Sequence, residues 1–201
     1  MAGKEWFAAV LERELTPLIS LSDEQLTLLY AHYELLERWN KRINLTSVEP
    51  GEEMVVRHYC ESLFFGAQLP REASSIVDVG SGAGFPGLSM AILRPNWKVT
   101  LVESNQRKAV FLREASRFRP NVSVIASRAE DLACTFDWIV ARAVNPQDVL
   151  ALCPRLGRKI GIMVSSSSFP ELQRSKDVAW SEPIRLPWGD RRVCVIGECS
   201  T

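Results

Sequence analysis

The chain of 201 residues carries no net charge, because 24 lysines and arginines match 24 aspartates and glutamates. That balance excludes a protein held to nucleic acid by bulk charge, and leaves room only for a local basic patch. Cysteine is scarce and unpatterned: Cys60, Cys134, Cys153, Cys194 and Cys199 are odd in number and contain no C-x-x-C spacing. This predicts reduced thiols in a cytoplasmic protein, with Cys153 as a core residue. His32 and His58 are the two histidines, so no metal site is expected. No apolar run reaches the ~18 residues of a membrane span. Charges throughout "MAGKEWFAAVLEREL" argue against a signal peptide. There is no internal repeat, and "SSSS" at 165–168 is the one low-complexity stretch.

What is present divides in two. Residues 1–69 read as a helical cap. Ser22 and Gln25 have the spacing of a capping box, and Leu26, Leu29, Tyr33, Leu36, Trp39 and Ile43 recur on one helix face. A second helix is predicted after Gly51, through "EEMVVRHYCESLFF". Residues 70–201 alternate β-branched runs ("SIVDV", "KVTLV", "VSVIA", "DWIVA", "KIGIMV") with amphipathic stretches near 87–94 and 105–118. This pattern predicts an α/β domain with a mostly parallel sheet covered on both faces. The tail "EPIRLPWGDRRVCVIGE" reads as an antiparallel hairpin around a Trp-Gly-Asp turn, closing the sheet.

The stretch "SIVDVGSGAGFPG" places glycines between the first strand and a helix, at the carboxyl edge where open α/β sheets bind ligands. Gly82, Gly84 and Gly87 satisfy G-x-G-x-x-G, a weak signal alone. Asp78 and Gly80 extend it to D-x-G-x-G-x-G, the loop of class I S-adenosylmethionine-dependent methyltransferases. Glu103 ends the second strand, where an acid can accept from ribose hydroxyls. Glu130 and Asp131 follow the third strand; they suit an adenine, or simply begin a helix. The sheet region has no histidine, so neither His-based hydride transfer nor a Ser-His-Asp triad is supported. Asn145-Pro146 opens like an Asn-Pro-Pro-aromatic amino-methylation motif, but Gln147 and Asp148 follow, and a turn into a helix is the plainer reading. A thin catalytic inventory suits an acceptor that is already nucleophilic, such as guanine N7, where alignment does most of the work.

"ERWNKRINLTS", "RHYCESL", "VDVGSGAGFPGLSMAI", "LVESNQRKAVFL" and "ARAV" occur in the order found in the bacterial 16S rRNA guanine-N7 methyltransferases, the glucose-inhibited division protein B family, which the chain resembles from about residue 25 to 196. The resemblance implies a Rossmann-like class I methyltransferase with an N-terminal helical cap, S-adenosylmethionine as cofactor, and a guanine in the 530 loop of 16S rRNA as acceptor. It implies cofactor contacts at Gly80, Phe85, Ala129, Glu130 and Arg142, beside Asp78, Gly82, Gly84 and Glu103. It places Asn44, Arg57, His58 and Arg142 toward the RNA, with Arg142 as the catalytic candidate. The expected partner is 16S rRNA within a small subunit or its assembly intermediate, met by a monomer. Three departures stand out: Glu61 where relatives usually carry Asp, "MVSSSS" in place of a Lys-Gly after the fifth strand, and no basic residue after the last strand.

Local charge could still hold RNA. Arg107, Lys108, Arg113, Arg117 and Arg119 lie on or just after one helix, and Arg155, Arg158 and Lys159 cluster separately. For single residues plainer readings compete: Asn44 as a turn residue, Arg57 paired with Glu53 and Glu61, His58 as a satisfied half-buried ring. The rival functions are a small-molecule methyltransferase, whose cap should close an apolar pocket, and a non-enzymatic nucleotide-sensing or interaction protein.

Overall fold

The computed structural model describes residues 3–72, 75–189 and 191–200. Its first part is helical: α1 (Lys4–Leu15), α2 (Asp23–Asn40), α3 (Glu52–Met54), one π-helical turn (Val55–Cys60) and α4 (Glu61–Gln68). The capping box forms as its spacing predicts. Ser22 Oγ accepts from Gln25 N, and Gln25 Oε1 accepts from Ser22 N at 2.9 Å. The same Gln25 donates through Nε2 to Ile92 O and Leu93 O, so one side chain starts α2 and satisfies the last carbonyls of a sheet-domain helix.

The remainder alternates β1 (Ser75–Val79), α5 (Gly87–Leu93), β2 (Lys98–Val102), α6 (Gln106–Ala115), β3 (Val122–Ile125), β4 (Phe136–Arg142), α7 (Pro146–Leu150), β5 (Gly157–Ser165), α8 (Phe169–Leu172), β6 (Val178–Trp180), β7 (Ile184–Arg185) and β8 (Arg192–Cys199). The sheet order is β3-β2-β1-β4-β5-β8-β6, with β7 also on β8. β1 to β5 are parallel, and β8 runs antiparallel to β5, β6 and β7. Connections from β1 run one way through β2 and β3, and the other way through β4 and β5. The carboxyl ends of β1 and β4 therefore flank the switch point where such sheets hold ligands.

Strand alternation divides the core. Ile76 packs with the cap helices, α5 and α6 in one cluster, while Val77 and Val79 pack with α7 and α8 in the other. Phe7, Tyr33 and Tyr59 interlock at ring separations of 5.2–6.2 Å within the first cluster, which continues into Met90 and Trp97. Cap and sheet share one apolar core.

Two features differ from the sequence reading, the place of the hairpin in the sheet and the state of Cys153. The hairpin β7–β8 exists, but β8 is inserted between β5 and β6, and β6 is a three-residue strand too short to show alternation. Gly189 of the expected turn has φ +123°, and the aspartate of that turn lies outside the described residues. Cys153 is half-buried against the second cluster and joined to Cys199 by a disulfide, not a free core thiol. Their Cα atoms are 6.1 Å apart, within bonding reach, although 46 residues separate them in the chain. Spacing alone cannot reveal such a pair. Among the described residues, no helix is long and apolar enough to cross a membrane.

Candidate active site

β1 delivers the chain into the glycine loop. Gly80 has φ +70°, and a Cβ there would sit 2.7 Å from Val144 Cγ2. Both the left-handed backbone and the close approach of the β4–α7 connection require glycine. The loop is tied down on every side. Gly80 N and Ser81 N donate to Val102 O at 2.9 and 3.1 Å. Gly82 N donates to Glu103 Oε2 at 2.9 Å, and Asn105 N donates to Glu103 Oε1 at 2.8 Å. Behind the loop, fully buried Asp78 accepts from Gly87 N at 3.0 Å, and burial pushes its pKa up to about 7. A Cβ on Gly87 would lie 2.6 Å from that carboxylate, which explains the last glycine of the motif by space alone.

The cap grips the same loop. His32 is buried, and its Nε2 lies 3.0 Å from Ala83 O. A carbonyl only accepts, so Nε2 carries the proton and Nδ1 accepts from Tyr59 Oη at 2.9 Å. Burial drives the His32 pKa down to about 3, which keeps this arrangement neutral.

Two cavities meet over the loop. One, of about 220 Å³, is lined by Gly80, Ser81, Gly82, Ala83, Phe85 and Glu103. The other, of about 630 Å³, opens toward Asn44, Arg57, Ser165, Ser168 and Arg192. They share Leu45, Thr46, His58, Lys108, Arg142 and Ala143, so they form one continuous cleft. The smaller half suits an adenosyl ligand. Each Glu103 oxygen accepts one backbone N–H and keeps a lone-pair site for a ribose hydroxyl. The larger half is cationic. Arg57, Lys108, Arg142 and Arg192 line it, and among the described residues no carboxylate does.

Most of the sequence-derived candidates converge here. His58 stacks on Phe85 with ring centroids 4.9 Å apart, and its Nε2 bonds Thr46 Oγ1 at 2.7 Å. Burial, then Arg142 and Arg57, lower its pKa to about 3, so the ring is neutral. Arg142 ends β4, and its pKa falls to about 10, chiefly from burial, so it stays charged. Ala143 follows at φ +57°, a conformation costing roughly 1–2 kcal/mol outside glycine, and turns the chain over Gly80. Asn44 is exposed at the rim. Asp78 and Gly84 lie outside the lining, the first bracing the loop and the second packed on Leu88 and His32. Ala129 and Glu130 form a single 3-10 turn after β3, Ala129 buried and Glu130 exposed, and line neither cavity.

Arg57 pairs with Glu53 at 2.8 Å but not with Glu61. Glu61 is only 1% exposed. Its Oε1 lies 2.6 Å from Arg192 Nη2, and its Oε2 lies 3.1 Å from Arg142 Nη2. The π-helical turn Val55–Cys60 intervenes between α3 and α4, and beyond it Glu61 is directed inward. Burial raises the Glu61 pKa against the opposing pull of the two guanidiniums.

The sequence assigns no role to His32, Thr46 or Arg192, and reads Glu61 only as a departure from relatives and a candidate exposed partner of Arg57. The fixed spacing within "NLTS" and "RHYCES" was the available signal, and it does not disclose contacts across segments. Asn40 is similar: its Oδ1 accepts from Leu45 N and Thr46 N, shaping the loop that carries Thr46 to His58. The two basic clusters are partly committed to structure. Arg155 donates to Leu132 O and Ala129 O, Arg119 donates to Ala115 O and Leu28 O, and Lys159 lies 5.9 Å from the Trp138 ring centroid. Asn145 caps α7 by accepting from Gln147 N, the turn its motif suggested.

Solved structures share this architecture at low sequence identity. A SAM dependent methyltransferase from Aquifex aeolicus aligns with TM-score 0.60 and 14% identity over 76% of this chain and 94% of its own. Ribosomal protein L11 methylase from Lactobacillus delbrueckii subsp. bulgaricus aligns with TM-score 0.59 and 14% identity, over 71% and 79% respectively. Aeropyrum pernix fibrillarin, solved with natively bound S-adenosyl-L-methionine, aligns with TM-score 0.56 and 15% identity over 69% and 73%. These place the fold among S-adenosylmethionine-dependent methyltransferases.

Two curated relatives named ribosomal RNA small subunit methyltransferase G are closer in sequence. The protein of Nitrosococcus oceani is 41% identical over 81% of this chain and 78% of its own length. That of Nitrosomonas europaea is 48% identical over 58% of this chain, a match spanning 56% of the relative. The family model GidB, rRNA small subunit methyltransferase G, matches residues 25–177. With the glycine cradle, Glu103 and the cationic cleft in place, the chain belongs to the rRNA small subunit methyltransferase G (GidB) family.

Proposed function

We propose that this protein transfers the methyl group of S-adenosylmethionine to N7 of a guanine in the 530 loop of 16S rRNA, presented within a small ribosomal subunit or its assembly intermediate. It acts as a monomer, in the cytoplasm where subunits are built. The observation that carries this reading is the continuous cleft, half of it a backbone cradle and half lined by four cations with no carboxylate among the described residues. Such a surface suits a phosphate-bearing acceptor.

We assign the cofactor to the backbone of Gly80–Ala83 and to Phe85, with the ribose on Glu103 and the adenine beside Ala129 and Glu130. When bound, S-adenosylmethionine would supply an electrophilic methyl group on a sulfonium. Guanine N7 attacks with its own lone pair, so no proton needs removal. The residues at the junction agree with that economy: His58 is neutral and held by Thr46, and the buried carboxylate of Glu61 is engaged by two arginines. Arg142 offers N–H donors to guanine O6 and leaves N7 free. Catalysis then rests mainly on alignment, a source of roughly 7–11 kcal/mol in favourable cases.

The test uses labelled S-adenosylmethionine with unmodified small subunits, deproteinised 16S rRNA and an Arg142→Ala control. Label at one 530-loop guanine, detected by cleavage selective for 7-methylguanine and dependent on Arg142, is the expected result. Cofactor binding by a folded protein with no label on either RNA would overturn the reading.

A further inference from the structure

The cleft contains a cation that neither the glycine motif nor the sequence candidates include. Arg192 opens β8, where it stands in register with Ser165, the last residue of β5. Both line the larger cavity. The end of β5 offers hydroxyls only: Ser165 Oγ lies 2.9 Å from Ser167 Oγ and 2.6 Å from Ser168 Oγ. The positive charge on this wall is supplied from the neighbouring strand.

Its placement depends on Glu61. One buried carboxylate bridges Arg192 and Arg142, one oxygen to each. Two positive charges against one negative leave the triad with a net charge of +1 beside the cavity. A carboxylate buried only for packing would be neutralised by a single guanidinium, and Arg142 already provides that. Glu61 uses one Nη of Arg192, and no other partner of this guanidinium occurs among the described residues. Its side chain is 29% exposed. A guanidinium has five N–H donors, so Arg192 retains several for a ligand.

We propose that Arg192 binds a backbone phosphate of the RNA strand carrying the target guanine, and that Glu61 is a positioning residue holding Arg192 and Arg142 on opposite sides of one carboxylate. The proposal rests on the function proposed above. It gives the serine-rich end of β5 its counter-charge: Ser165 and Arg192 form one wall, with hydroxyl donors from one strand and the cation from the next.

The experiment measures binding of unmodified small subunits over a range of KCl concentrations, together with KM for the subunit and Kd for S-adenosylmethionine. Arg192→Gln removes the charge while keeping an N–H donor toward Glu61. The salt slope is expected to fall by about 0.7–0.9, one phosphate contact. KM should rise about tenfold, with Kd for the cofactor within twofold of wild type. Arg192→Lys should restore the slope. Glu61→Gln should keep the slope and raise KM, with recovery in Glu61→Asp.

An unchanged slope and KM in Arg192→Gln, beside an active wild type, would overturn this proposal and leave the methyltransferase reading intact. A wild type that binds cofactor but labels no rRNA would remove the reading itself, and this proposal with it. Should Arg192→Gln fail to bind cofactor through misfolding, Arg192→Met, which keeps an unbranched side chain without the charge, decides: a slope lower by about 0.7–0.9 supports the phosphate contact, and a wild-type slope and KM contradict it.

Discussion

The two halves of the cleft are built differently. The cofactor half is a backbone device: one loop of consecutive residues, Gly80 to Phe85, fastened by Val102 O, Glu103, Asp78 and His32. The acceptor half is a side-chain device, gathered from the loop after α2, the π-helical turn, the start of α6, and the ends of β4, β5 and β8. A contiguous loop whose glycines answer to steric demands can be read in sequence. A wall assembled from six segments shares a surface but no spacing, so Asn44, Arg57, His58 and Arg142 are reached only through the family resemblance, and Thr46 and Arg192 not at all.

Arg142 joins the halves, so its loss should be felt most. Arg142→Ala is expected to lower single-turnover methyl transfer on the order of 100-fold at saturating cofactor, the scale seen when a preorganised donor is removed. Rapid-quench assays on small subunits check this. Transfer within threefold of wild type would place the chemistry elsewhere.

The pH response of His58, which lines both halves, tests the junction between them. Its folded pKa of about 3 lies below the unfolded value of about 6.5, so the unfolded chain binds the extra proton between these limits. The stability it contributes is complete above pH 6.5 and is lost as pH falls toward 3. The unfolding free energy of wild type minus that of His58→Gln should therefore be constant from pH 7 to 8. It should shrink by up to about 2 kcal/mol at pH 5, somewhat less because the ring is partly solvated. Urea unfolding at each pH gives the comparison, and a flat difference would contradict the buried neutral ring.

Gly80→Ala probes the backbone device alone. A left-handed alanine costs roughly 1–2 kcal/mol, and its Cβ would press on Val144. Affinity for S-adenosylmethionine should fall about tenfold, read by calorimetry. The smallest effect belongs to Arg57→Ala. Its pair with Glu53 is exposed, so unfolding free energy should change by less than about 0.5 kcal/mol, while subunit binding weakens through the lost cation.

The fold was largely legible for the same physical reason as the loop. β1 and β2 fall on the runs "SIVDV" and "KVTLV", because buried parallel strands demand continuous β-branched residues. The Ser22–Gln25 box fixed the start of α2. Illegible features depended on long-range placement. β6 is three residues long, the Cys153–Cys199 bond links positions without a local pattern, and the π-helical turn that precedes Glu61 leaves no mark in composition. Arg57 shows how a local rule can mislead. Its i,i+4 spacing fits Glu61 as well as Glu53, but only Glu53 lies on the exposed side.

The central claim is that one cleft holds cofactor by backbone and RNA by side-chain charge. Its most direct test is a paired measurement on Gly80→Ala and Arg57→Ala, taking Kd for S-adenosylmethionine and KM for unmodified small subunits in each. The account predicts a weakened cofactor Kd with near-normal subunit KM for Gly80→Ala, and the reverse for Arg57→Ala. Parallel loss of both quantities in both variants, or wild-type cofactor affinity in Gly80→Ala, would contradict it.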